Sequence, residues 1–123
     1  MFTITTDKAI HLTRGDIAII EVSAEMSNSE PYVFKVGDIV RFKAFVKKQC
    51  DDIVLEKDVT VESETTTVSI ILGRSDTKIG GIISKPTDYW YEIELNPDTT
   101  PQTIVGYDSD GPKLFRLFPE GDD

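Results

Sequence analysis

The chain has 123 residues, 39% of them hydrophobic, with 13 basic against 22 acidic side chains and a formal charge of −9. That length suits one domain with a real core and leaves no room for a second catalytic lobe. The charge speaks against phosphate-backbone binding, which needs a dominant basic surface, and no apolar run approaches the roughly 18 residues of a membrane span.

Taken in chain order, the hydrophobic pattern has a period of two. A short first strand is expected before the turn Arg14-Gly15-Asp16. Ala18, Ile20, Val22 and Ala24 then alternate with Ile19, Glu21 and Ser23. After turn signals at Ser29-Glu30-Pro31 and Val36-Gly37-Asp38, a second set (Val40, Phe42, Ala44, Val46) alternates with Arg41, Lys43 and Lys47. A loop at Cys50-Asp51-Asp52 leads to Ile53, Leu55, Val59 and Val61, a phase that Lys57 interrupts. Val68, Ile70 and Leu72 follow, then Tyr89, Tyr91, Ile93 and Leu95, and a last segment from Leu114 to Phe118. Alternation of this kind marks strands with one face on a core and the other in water. Only Arg74 to Lys85 breaks the rhythm. There Ser75-Asp76-Thr77 can cap a single helical turn before Gly80-Gly81, so a short helix or a loop is expected. The prediction is an all-β fold: an immunoglobulin-like antiparallel β-sandwich of seven to eight strands, occupying residues 1–119 as a single domain, with 120–123 as an acidic tail.

Charge is unevenly distributed. Residues 1–87 carry eleven basic and thirteen acidic side chains, whereas 88–123 carry two and nine. The start of the chain lacks a basic segment followed by an apolar stretch, so no secretory leader is expected. The single cysteine, Cys50, excludes an internal disulfide framework and suits a reducing compartment.

Few residues offer chemistry. Glu92 and Glu94 share one strand face roughly 7 Å apart, near the carboxylate separation of inverting glycosidases. A catalytic pair flanks its bond across a cleft, however, and these two lie on the phase opposite the core set, which favours a solvated face. Arg41, Lys43 and Lys47, with Lys48 beside them, form a basic stripe. It is either an anion patch or one half of cross-strand pairing with Glu56, Asp58, Glu92 and Glu94, and pairing is expected. Asp108-Ser109-Asp110-Gly111 resembles the opening of a calcium loop but lacks the remaining ligands, so Asp108 and Asp110 are at most weak metal candidates in a hairpin turn. Arg14-Gly15-Asp16 matches the tripeptide that integrins read, at a position where a turn is needed anyway. His11 is the only histidine and has no nucleophile assigned beside it. The residues therefore predict no enzyme, no cofactor and no firm metal site. Tyr89-Trp90-Tyr91 is more informative: alternation sends the tyrosines inward and Trp90 outward. There it is covered by a neighbouring loop such as Arg74–Lys85, anchors a protein contact, or forms a sugar-stacking platform.

The ordered segments LTRGDIAIIEV, FKVGDIVRFKAFVKK, VLEKDVTV, SDTKIG, DYWYEIEL and PQTIVGYDSDGPKLFRLFPEG run from Leu12 to Gly121 and carry a resemblance over roughly residues 10–120. Together they resemble small structural proteins of the tail and baseplate of phages and prophages of Gram-positive bacteria. They are similar to the immunoglobulin-like N-terminal domain of lactococcal phage upper baseplate proteins. The resemblance implies a non-enzymatic virion structural protein that is made in the bacterial cytoplasm and then built into the tail. Its partners would be other tail or baseplate proteins or further copies of itself. The residues themselves offer edge strands and the Trp90 face, with Arg41, Lys43 and Lys47, as contact surfaces, and charge and hydropathy speak against nucleic acid and membrane. Longer members of that group continue into a helical or receptor-binding portion; ending at Asp123, this chain is expected to act as an accessory subunit or with another chain. The alternative from a different class is a carbohydrate-binding module that uses Trp90 as its platform.

Overall fold

In the computed structural model, which describes residues 2–4, 9–24, 30–47, 53–79, 85–99, 102–105 and 112–119, the two-residue period resolves into nine strands and one helical turn. The strands are β1 (Phe2–Ile4), β2 (Ile10–Thr13), β3 (Ala18–Val22), β4 (Ile39–Phe45), β5 (Ile53–Thr60), β6 (Val68–Leu72), β7 (Thr87–Leu95), β8 (Gln102–Val105) and β9 (Lys113–Phe118); the turn, α1, is Arg74–Thr77. The all-β class is as the alternation predicts. The strand number exceeds the expected seven to eight because β1 and β8, three and four residues long, are too short to show a periodic signal.

Seven strands form one sheet in the order β1-β2-β9-β7-β4-β5, with β8 also paired to β7; β3 and β6 form the second sheet. Strand β7 organises the larger sheet. Its residues 90–95 pair with β4 on one side, while β9 and β8 take successive parts of its other side. The ladders are antiparallel, as expected, except β2–β9, which is parallel. A parallel neighbour needs a crossover, and nearly the whole chain lies between these two strands.

The inner faces of both sheets meet in one apolar cluster. It includes Ile10 and Leu12 of β2, Ala18, Ile20 and Val22 of β3, Val40, Phe42 and Ala44 of β4, and Val68, Ile70 and Leu72 of β6. Tyr89, Tyr91, Ile93 and Leu95 of β7 and Phe115 and Leu117 of β9 complete its strand residues. Phe42 stacks on Tyr91 with centroids 5.3 Å apart, and both meet Phe115 edge-on at 5.8 and 6.5 Å, geometry that suits ring quadrupoles. Two residues of the expected core phase depart from it. A register shift at Ala44/Phe45 ends β4, leaving Val46 exposed, and Ile53 at the start of β5 is exposed as well.

Polar side chains hold the connections. Gly37 sits at φ +95° in the turn before β4, where Asp38 N–H donates to the Lys35 carbonyl at 3.0 Å. Asp38 accepts from Tyr32 Oη and Lys35 N, both at 2.9 Å, and from Asn96 Nδ2 at 3.2 Å. Asn96 Oδ1 in turn accepts from Ile39 N at 2.9 Å, pinning the start of β4 to the end of β7. These bonds outweigh the upward push of partial burial and hold the Asp38 carboxyl below its ordinary value.

Candidate interaction surface

Alternation sends every second side chain of β5, β4, β7 and β9 to the outer face of the larger sheet, and cross-strand register sorts them into rows. One row places Asp58, Arg41 and Glu94 side by side, and the next places Glu56, Lys43 and Glu92. Arg41 makes a two-pronged bond to Asp58, at 2.7 Å from Nε and 3.0 Å from Nη2, and reaches Asp98 at 3.1 Å. Glu56 lies 3.7 Å from the same guanidinium. The Arg41 bond pulls Asp58 down, while the two aspartates together raise Arg41. Lys43 Nζ sits 2.5 Å from Glu94 Oε1 and 3.9 Å from Glu92 Oε1. Glu94 is thus the close partner of Lys43, and its Oε1 is buried beneath that contact.

These three side chains are only 19%, 16% and 15% exposed, so the cluster is largely withdrawn from water. Burial alone would lower Lys43, yet Glu94, Glu92 and Glu56 outweigh it and hold the ammonium above its ordinary value. Glu92 moves the other way for a carboxylate: burial, then repulsion from Glu94, raise it despite Lys43. The expected cross-strand pairing is thus what the strands make. Two cations face five carboxylates (Glu56, Asp58, Glu92, Glu94, Asp98), so the stripe is locally acidic in sum. Glu92 and Glu94 share one cation between them, on one face of a single strand.

Further along the same face the row changes character. Ile53, Phe45, Trp90 and Leu114 stand opposite one another across β5, β4, β7 and β9. Trp90 is on the outward phase, as alternation predicts, but half-buried and in contact with other groups, so it does not stand clear as a bare platform. Arg74–Thr77 packs on β6 and the 14–16 turn, on the other side of the larger sheet from Trp90. Phe45 is the residue that sequence reasoning missed. Only 1% exposed, it lies on the outward phase and outside the main core. The signal was there: an aromatic ring on the same phase as Arg41 and Lys43. Exposed Val46, Ile53 and Val54 lie at this end of the sheet. Beyond, Arg116 binds Asp88 through two bonds of 2.6 and 3.2 Å, and His11 stacks on Phe118 at 5.8 Å.

Lys47 lies past the end of β4, exposed, with no ion pair among the described residues, and so does not join Arg41 and Lys43 in the pairing. Asp108, Asp110, Lys48 and Cys50 lie outside the described residues. Among those described, no group of three His, Cys, Asp or Glu is placed to hold a metal ion, and no helix is long and apolar enough to cross a membrane. The Arg14-Gly15-Asp16 turn is latched in place. Arg14, 8% exposed, donates to the carbonyls of Ile79 and Lys78 at 3.2 Å each. Gly15, at φ +88°, donates to Thr77 Oγ1 at 3.0 Å.

Comparison with family models, with curated proteins and with solved structures finds no match to this chain. A functional reading therefore rests on the residues and their arrangement.

Proposed function

We propose that this chain is a non-enzymatic structural subunit of a phage or prophage tail or baseplate, an immunoglobulin-like sandwich that works by docking other proteins. The strand order supports the immunoglobulin-like reading. The run β4-β7-β9 with β5 outside β4 follows the C, F and G strands with a C′ neighbour, and β3–β6 follows B and E of the opposite sheet. The observation that carries the functional reading is the pairing of the outer face. Arg41, Lys43 and Arg116 are spent on cross-strand carboxylates, while Val46, Ile53 and Val54 stay exposed at the end of the sheet where Trp90 lies half-buried. Ionic pairing of that kind sets register and solubility, whereas grouped apolar side chains on a surface serve protein contacts.

The test is composition of the particle. Mass spectrometry of purified tails from the bacterium that encodes the chain should find it in stoichiometric amount, and Ile53→Ser with Val54→Ser should deplete it. Absence of the chain from purified particles would overturn the proposal. A glycan array probed with the wild type and Trp90→Ala addresses the carbohydrate alternative: glycan binding lost in the variant would replace docking as the main role.

A further inference from the structure

The smaller sheet presents a different surface. Its inner residues, Ala18, Ile20 and Val22 on β3 and Val68, Ile70 and Leu72 on β6, are buried in the core. Its outer face carries Ile19 and Ile71, directly opposite each other in the register, with Ile17 immediately before β3. These three are 57% (Ile17), 53% (Ile19) and 54% (Ile71) exposed, which makes an apolar patch rather than a scatter of single residues. The contrast with the larger sheet is informative. There the outer face is ionic around Arg41 and Lys43 and apolar only toward the Trp90 end, and edge strand β5 carries Lys57 on its core-facing phase, paired with Asp76 at 3.1 Å, the sort of inward charge that blocks edge-to-edge pairing. Strand β6 (VSIIL) carries no charge at all.

The ends of the patch differ in sign. Beside Ile17, where β6 leads into α1, stand the exposed Arg74 and Lys78; Asp16 lies there half-buried and partnered, and Asp76 is held by Lys57. At the other end stands exposed Glu21, opposite Ser69, with Glu62 and Glu64 on the approach to β6. The Ile19–Ile71 row lies midway between them.

We propose that a second copy of this chain covers this patch, outer face to outer face, in a two-fold dimer whose strands run in opposite directions. A two-fold axis through the Ile19–Ile71 row stacks that row on its own copy and carries the Arg74 end of each sheet over the Glu21 end of the other. A self-complementary patch of this kind is what a closed isologous contact requires, and sheets stacked this way interdigitate their side chains about 10 Å apart. Three isoleucines per copy make a small interface, so the dimer is weak and concentration-dependent. The proposal does not depend on the tail reading, which uses the opposite layer.

Sedimentation velocity of the full chain over a concentration series tests it, with circular dichroism confirming that each variant is folded. The wild type should show a reversible monomer–dimer equilibrium. Ile19→Thr with Ile71→Thr, which keeps β-branching and net charge, should weaken it by roughly tenfold or more. Glu21→Arg and Arg74→Glu should each weaken it, and the two together, with net charge restored, should recover it. Ile53→Ser with Val54→Ser should leave it unchanged. A wild type that stays monomeric at every concentration, a dimer indifferent to the isoleucine variant, or a double charge swap no better than the single ones would overturn the proposal.

Discussion

Glu92 and Glu94 look equivalent in the sequence and are not equivalent in the fold, so neutralising them one at a time should give opposite results. Glu94 is the close partner of Lys43, at 2.5 Å, whereas Glu92 stands at 3.9 Å and is pushed toward protonation by burial and by Glu94. Unit charges about 4 Å apart interact by about 4 kcal/mol at an effective dielectric near 20, before desolvation and side-chain ordering are subtracted. Exposed pairs retain roughly 0–1 kcal/mol, and breaking a fully buried pair costs about 3–5. With side chains 15–19% exposed, Glu94→Gln should fall between these limits and cost about 1–2 kcal/mol at pH 7. Glu92→Gln removes a carboxylate that pays for burial and repels Glu94, and should be neutral or stabilising by up to about 0.5 kcal/mol. With a urea m-value of roughly 1–3 kcal/mol/M, the two denaturation midpoints should differ by about 1 M.

The pH dependence supplies a second readout. The folded-state pKa of Glu92 is raised, so the folded state holds its proton more tightly and wild-type stability falls as pH rises from the ordinary carboxylate value through the folded one. The advantage of Glu92→Gln should therefore be present at neutral pH and vanish as pH falls to that ordinary value. Equal losses in the two variants, or a larger loss for Glu92→Gln, would refute the assignment of Lys43 to Glu94.

Three further outcomes are expected. Lys57→Val completes the apolar phase of β5 and should cost no folding stability, yet light scattering should show faster aggregation, because the inward charge guarding that edge is gone. Arg14→Ala leaves the carbonyls of Ile79 and Lys78 without a donor and should cost about 2 kcal/mol in chemical denaturation; because Arg14 is buried, the native protein should not support integrin-dependent cell adhesion. Gly37→Ala meets no atom within 4 Å of the new Cβ but must hold φ +95°, so backbone strain alone should lower stability by about 1 kcal/mol.

Alternation was enough to name the inner residues of β3, β6 and β7, because a period of two has only two phases and apolar side chains occupy one of them. It also put Arg41 and Lys43 on the outer phase with their carboxylate partners, since the hairpin between β4 and β5 and the neighbouring β7 leave those side chains little choice. It was silent on β1 and β8, too short to carry a period, and misplaced Val46 and Ile53, where a register shift ends the alternation. Lys57, which interrupts its phase in the sequence, makes sense only once Asp76 is brought across from the turn after β6.

By itself, then, the sequence determined the class of the fold, the faces of the long strands and the excess of acid in the last third. Tertiary structure decided everything that depends on which strand lies beside which. It set β2 parallel to β9, buried Phe45 within an outer row beside Trp90, turned a basic stripe into a locally acidic one, and left Ile17, Ile19 and Ile71 together in the open. The physical reason is one of range: side-chain phase is set by neighbours two residues away, whereas pairing, burial and charge balance are set by partners that strand order brings from tens of residues along the chain.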